Sequence, residues 1–345
     1  MNRNSVSHKR FGRGKTPPLP SAGEVGESEE RRRTGREGEN HNRKSPYVNG
    51  HGASKSTLIC HKRRRLVLRQ AAVQAALIGL SIFFLLPLIW MLVTAIKPLN
   101  ETMTSPPVWI PSKLQWQNFS DAFAYNSKDL GYIPFLVYGR NTLFVTCLAV
   151  IGSVISNSLV AYSFARIRWK GREWLFGMTL ATMMVPGPVL MVPMYALFKE
   201  FGWIGTFRPL WVPSFFGSAF NIFLLRQFLR TIPIDLSEAA KLDGASEWRT
   251  FIDVIIPLTR PALVVVAVFT FLWAWNDFMG PLLYLTDQQT FTLSMGLQFF
   301  QSQHTGTPWN LLMAASLIVV VPVIVVFFFA QRVFIQGIAT TGMKG

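Results

Sequence analysis

The chain has 345 residues, of which 50% are hydrophobic and 13% aromatic, and its mean hydropathy is +0.29, an apolar load beyond that of an ordinary soluble domain. Its formal charge is +16, but residues 1–69 alone hold 17 Lys and Arg against 6 Asp and Glu, so the charge belongs to a tail and a basic nucleic-acid face is excluded. Two cysteines, Cys60 and Cys147, cannot build a disulfide framework or a metal cluster, and all five histidines (His8, His41, His51, His61, His304) lie outside the apolar segments, which removes an intramembrane proton relay or Ser/His hydrolase.

Residues 1 to about 60 are rich in Arg, Glu, Gly, Ser and Pro and have almost no periodic apolar positions, so residues 1–65 are read as a disordered basic tail. Gly14-Lys15-Thr16 has the end of a phosphate loop, but Lys9 stands where the motif needs Gly, and no strand precedes it. No apolar core with a small-residue cleavage site marks an export signal.

Residues 66–345 read as a membrane domain, because apolar stretches of the ~20 residues needed to cross ~30 Å of hydrocarbon alternate with short polar connectors. Six are expected, at about 71–96, 141–165, 174–198, 209–229, 261–285 and 309–331. Pro186-Gly187-Pro188 interrupts the third, and the break is either a pivot for alternating access or a simple proline kink. The fourth carries Ser214, Gly217, Ser218, Asn221 and Arg226 and is expected to pack against other helices. Basic residues flank alternate connectors: His61 to Arg65 before the first span, Arg166 to Arg172 after the second, and Arg230, Lys241, Arg249 and Arg260 after the fourth. Cytoplasmic connectors retain such residues, so both termini are expected inside.

The connector 232–260 is too long for a simple loop and should have structure of its own. Asp235 and Glu238 have the spacing of a capping box, and Gly244 is a natural helix stop. Ser246 can cap a second helix, on which Trp248, Phe251, Ile252 and Ile255 form one apolar stripe before Pro257 and Pro261 end it. The expected result is a small-faced helix, Glu238 to Asp243, on an amphipathic support. Ala239, Ala240, Gly244 and Ala245 would admit a partner's backbone, and Glu238 and Asp243 offer fixed charges. The bland alternative is an amphipathic helix lying on the membrane surface.

Glu238-Ala239-Ala240, Gly244, then Val254, Ile256 and Pro257 resemble the E-A-A…G…I-x-L-P loop of ABC importer permeases, with Val for Ile and Ile for Leu. Lys97-Pro98 with Pro106-Pro107, Asn141-Thr142, Ala161-Tyr162-Ser163-Phe164-Ala165-Arg166 and Gln331-Arg332-Val333-Phe334 resemble the maltose-type, carbohydrate-uptake branch, over about residues 66–345. The resemblance implies an all-α membrane protein with the six-helix type I importer permease fold. It also implies a cytoplasmic coupling helix between spans four and five, which docks on a separate ATPase. Implied partners are a homologous permease subunit, two copies of the ABC ATPase that binds the ATP, an extracytoplasmic sugar-binding protein and membrane lipid, in a bacterial plasma membrane. This chain would carry no cofactor and no ATPase site of its own. The external loop 286–308, with Gln298, Gln301, Gln303 and Pro308, corresponds by resemblance to the loop that probes the binding protein.

In span five, Trp273, Asn276, Asp277 and Gly280 are expected on one helical face. A carboxylate near the bilayer centre costs about 2.5–3.5 kcal/mol, so Asp277 should face protein or water. The face either lines the translocation path or makes a structural polar contact to a neighbouring helix. An ion-driven secondary transporter or channel is the main rival class, with Asp277 the one strong intramembrane acid to support it.

Overall fold

The computed structural model describes residues 52–301 and 306–341, and the chain divides into two units, Met1–Ala75 and Ala76–Gly345. The expected tail therefore lies outside the described residues up to position 51. Residues 52–65, which composition assigned to the tail, are instead helical and open α1 (Gly52–Ala95). A helix nucleated by an apolar run adds residues at little cost, and Lys62-Arg63-Arg64-Arg65 are good helix formers.

Every regular element among the described residues is helical. Among the described residues, four helices are long and apolar enough to cross a membrane: Val67–Ala95 within α1, α2 (Pro134–Arg166), Glu247–Trp275 and Trp309–Gln331. The third expected span is not straight. It consists of α3 (Arg172–Ala181), a 3-10 turn to Met184, and α4 (Gly187–Glu200), bent by 100° at the break. Pro186 and Pro188 explain the bend, since each lacks a backbone N–H and biases the residue before it toward extended backbone; Val185 has ψ 117°.

The fourth expected span, 209–229, is a correction to the sequence reading. It breaks into Arg208–Trp211, a 3-10 segment Val212–Phe216, and α5 (Ala219–Thr231). Pro209 and Pro213 remove donors from the first half, and Gly217, at φ +86°, turns the chain before Ser218 starts α5.

α2 shows why the bundle holds together inside a bilayer. Its buried face is made of small and polar side chains, among them Asn141, Thr142, Thr146, Ala149, Gly152, Ser153, Asn157 and Ala161. Leu143, Phe144, Ile151 and Ile155 point outward and are exposed. Lipid is as apolar as leucine, so close backbone approach and interhelical hydrogen bonds drive association in place of apolar burial. Below this stripe, Tyr162, Leu225, Leu229, Phe251, Ile255 and Val266 form an apolar core shared by α2, α5 and the fifth expected span.

Arg226, expected to pack against other helices, is buried and pins α5 to α3. Its guanidinium donates to both carboxylate oxygens of Glu173 at 2.8 and 2.7 Å and to the Phe164 carbonyl at 3.2 Å, and it lies 3.9 Å over the Phe176 ring. A buried guanidinium stripped of its counter-charge is costly. Glu173 is itself largely exposed, so water screens part of the loss, and Glu173→Gln is expected to lower the thermal-unfolding midpoint of the purified protein. An unchanged midpoint would mean that the ring and carbonyl suffice.

Lys97, of the Lys97-Pro98 pair, closes the far end of α1. Its ammonium is buried 4.3 Å over the Trp90 ring, and burial holds it below the ordinary lysine range.

Candidate coupling and translocation site

The connector after α5 folds as a short exposed helix, α6 (Asp235–Leu242). The capping box expected from Asp235 and Glu238 does not form. Ile234 already has helical backbone angles (φ −67°, ψ −30°), and its carbonyl receives the N–H groups of Ser237 and Glu238. Helix therefore starts one residue early and places Asp235 inside the first turn, where its carboxylate complements the helix dipole instead of capping.

The other end behaves as expected of Gly244. Gly244 stands at φ +81°, its N–H donates to the Lys241 carbonyl at 3.0 Å, and the Ala245 N–H reaches back to Ala240 at 2.9 Å. This is the paired bonding of a Schellman end, in which the residue at the left-handed position is normally glycine. Glu238, Ala239, Asp243 and Gly244 are exposed, and Ala240 and Ala245 half-buried. A Cβ built on Gly244 would meet nothing within 4 Å. Leu242 is 89% exposed, and no periodicity singled it out in the sequence. Its exposure is visible only in the structure.

Ser246 caps the next helix, its Oγ accepting the Arg249 N–H at 3.3 Å. That helix does not stop at Pro257 or Pro261, contrary to the sequence reading. It runs without interruption as α7 (Glu247–Trp275), passing through a π-helical turn at Thr250–Ile255. In the widened turn the Ile256 N–H bonds the Phe251 carbonyl, so Pro257 enters the first turn of the α-helix that follows, where a missing N–H costs least. Phe251, Ile255, Ala262 and Val266 bury on one shared core across the prolines and keep the helix continuous. Of the expected apolar stripe, Phe251 and Ile255 are buried, while Trp248 and Ile252 remain exposed, because the π turn rotates the faces.

Above this core, a cavity of about 530 Å³ opens between α2, α5, the 212–218 segment and α7. Its polar wall converges on one hydroxyl. Ser153 Oγ lies 3.0 Å from Asn157 Nδ2, 3.2 Å from Asn221 Nδ2 and 3.0 Å from Thr270 Oγ1. Asn157 Oδ1 accepts the Ser218 N–H at 2.7 Å, and Ser156 Oγ donates to the Ser214 carbonyl at 3.0 Å, so the wall also fixes the break before α5. Phe269 and Trp273 supply aromatic surface to the same cavity. The hydroxyls and amides are buried and bonded to one another, so what the cavity presents openly is the aromatic surface of Phe269 and Trp273.

Of the expected path residues, Trp273 lines this cavity, whereas Asn276, Asp277 and Gly280 are not among its lining residues. They do not share a helical face, because α7 ends at Trp275 and a new helix, Met279–Tyr284, begins beyond. Asn276 Nδ2 turns back to the Leu272 carbonyl at 2.8 Å, and Asp277 Oδ1 accepts the Gly280 N–H at 3.0 Å. Bonds of this kind satisfy the backbone locally and end a helix. Gly280 leaves the room, since a Cβ there would lie 2.3 Å from Asp277 Oδ2. Ser153, Asn157 and Thr270 were missed in the sequence, although Ser153 and Asn157 stand four apart inside an apolar run, and that spacing was a usable signal.

In the segment 286–308, Gln298 Nε2 donates to Gln301 Oε1 at 3.4 Å, and Gln303 lies outside the described residues.

Membrane-length apolar helices, a polar cavity between them and a bare helix on the connector after α5 define a membrane transport subunit. Residues 153–340 match the family described as binding-protein-dependent transport system inner membrane component, and the chain belongs to that family, as an ABC importer permease. It is 30% identical over 283 residues to the trehalose/maltose transport system permease protein MalG of Thermococcus litoralis, covering 82% of this chain and 99% of that one. It is 32% identical over 237 residues to the diacetylchitobiose uptake system permease protein NgcG of Streptomyces coelicolor, with 68% and 76% covered. The fold is similar to a chain in the crystal structure of a bacterial ABC transporter involved in import of the acidic polysaccharide alginate, with TM-score 0.66, 22% identity, and 78% and 97% covered.

Proposed function

We propose that the chain forms half of the translocation path of an ATP-driven sugar importer in a bacterial plasma membrane, and that α6 is its joint to a separate ATPase. The bare small-faced surface of α6, with Glu238, Ala239, Leu242, Asp243 and Gly244 exposed at a glycine-ended helix, carries this reading. Small side chains with a bare leucine at a glycine-ended helix suit the close approach of a partner's surface. A homologous permease subunit supplies the other half of the path, two ATPase copies bind the ATP, and an extracytoplasmic binding protein delivers the sugar. Relatives named for trehalose/maltose, diacetylchitobiose and arabinooligosaccharide transport support the substrate class, as does the aromatic surface of the cavity.

On this reading the bent pair α3–α4 and the broken 208–231 segment complete six crossings, both termini and α6 face the cytoplasm, and lipid covers the outward apolar side chains of α1. The chain contributes no catalysis and no cofactor of its own; the ATPase supplies the work.

The test is uptake of labelled oligosaccharides into vesicles holding the complete complex, with ATP inside the lumen that faces the ATPase. Uptake is expected to require ATP and binding protein and to survive collapse of proton and sodium gradients by ionophores. Uptake that needs a gradient and ignores ATP would favour the ion-driven alternative.

A further inference from the structure

We infer that the last turn of α2 is a clamp that holds both stems of the α6 connector, so that a displacement of α6 is delivered directly to the helices lining the cavity. The inference rests on α6 being the ATPase joint and names residues that make the joint work.

Tyr162 and Arg166 stand four residues apart, on one face of α2. Arg166 takes the entering stem. Its guanidinium donates to the carbonyls of Leu229 at 2.8 Å, Ile232 at 2.6 Å and Pro233 at 3.4 Å. The Leu229 and Ile232 carbonyls close α5, Pro233 leads into α6, and a fixed cation there complements the negative end of α5. Tyr162 takes the leaving stem, its hydroxyl donating to Glu247 Oε2 at 2.9 Å. The other carboxylate oxygen of Glu247 pairs with Lys241, on the last turn of α6. One carboxylate thus joins α6, the start of α7 and α2.

The two limbs differ in strength. Lys241 and Glu247 are each about half exposed, and such a pair alone contributes little. Tyr162 is 5% exposed, with its ring packed against Phe251 at 4.9 Å and its hydroxyl directed at the carboxylate. It removes the freedom that normally makes a surface pair weak. Glu247 is therefore a positioning residue, held by Tyr162 and holding Lys241.

What the clamp moves is set by the same helices. α2 carries Ser153 and Asn157, which begin ~8 Å along the helix from Tyr162 at 1.5 Å per residue. α5, gripped through its closing carbonyls, carries Asn221. α7, gripped at Glu247, carries Thr270 and Trp273. The three clamped helices are the ones whose side chains meet at Ser153 Oγ, so tilting the clamp repositions the polar wall.

The experiment measures sugar translocated per ATP hydrolysed by the complete complex in vesicles, together with recovery of the ATPase on purification. Tyr162→Phe keeps the ring in its core and removes only the hydroxyl. It and Glu247→Gln are expected to lower the transport-to-hydrolysis ratio about 5-fold, the factor for one lost hydrogen bond, with the ATPase still recovered. Lys241→Glu should lower the ratio similarly. Parental ratios in Tyr162→Phe and Glu247→Gln would overturn the clamp. Gly244→Trp, run in parallel, keeps the two readings apart. If it uncouples while the clamp variants behave as parent, the clamp alone fails; if it too retains ATPase and coupling, the role of α6 fails first.

Discussion

Gly244→Trp is expected to reach the membrane at normal levels and to lose at least ~10-fold in ATPase recovered on co-purification, a change worth about 1.4 kcal/mol or more. Two properties of the position make the effect large and specific. Its backbone stands at φ +81°, where a side chain costs about 1–2 kcal/mol. A Cβ there meets nothing within 4 Å, so the indole has no neighbour in its own chain to strike and projects from the surface that Glu238, Ala239 and Leu242 share. Gly244→Asn is the control, because asparagine tolerates the left-handed region and adds little bulk. It should retain the ATPase. Loss in both variants would assign the defect to the backbone of α6, and retention in both would show that the partner does not approach this surface.

Gly152→Leu is expected to prevent recovery of folded protein, and Gly152→Ala to destabilise it by about 3 kcal/mol, as overpacking of a tight contact does. A Cβ at Gly152 would lie 2.3 Å from the Phe215 ring, which belongs to the 3-10 segment before α5. The backbone that carries the ring is fixed. Ser214 and Ser218, on either side of it, are bonded to Ser156 and Asn157 on α2. Relief by moving that backbone would therefore break the polar seam beside the cavity. Phe215→Ala combined with Gly152→Ala should recover much of the loss in thermal-unfolding midpoint. Gly139→Ala on the same helix, with nothing within 4 Å, should be neutral or gain about 0.5–1 kcal/mol from helix propensity. Equal midpoints for Gly152→Ala and Gly139→Ala would refute the contact.

The features legible in advance are those whose cause is local. Gly244 ends α6 because the left-handed residue of a Schellman end leaves glycine little competition, and that demand is written within six residues. Ser246 caps α7 for a similarly short-range reason. The break at Pro186-Gly187-Pro188 needed only the missing donors of two prolines. Local rules failed where another element outbid them. The capping box at Asp235 was lost to an early helix start at Ile234 after Pro233. The stop expected at Pro257 was overridden by a π turn and by burial of Phe251 and Ile255 against α2 and α5. The single face drawn through Trp273, Asn276, Asp277 and Gly280 required a helix that ends at Trp275.

By itself, then, the sequence determined that this chain carries membrane-length apolar helices, which family it joins and where the short helix of the 232–260 connector ends, because hydropathy, turn chemistry and a contiguous motif act over tens of residues. Only the tertiary structure decided that Ser153, Asn157, Asn221 and Thr270 meet in one cavity and that Tyr162 and Arg166 grip both stems of the connector. Those arrangements join side chains up to 117 residues apart, and a hydroxyl or amide inside an apolar run has no sequence-level partner until packing supplies one.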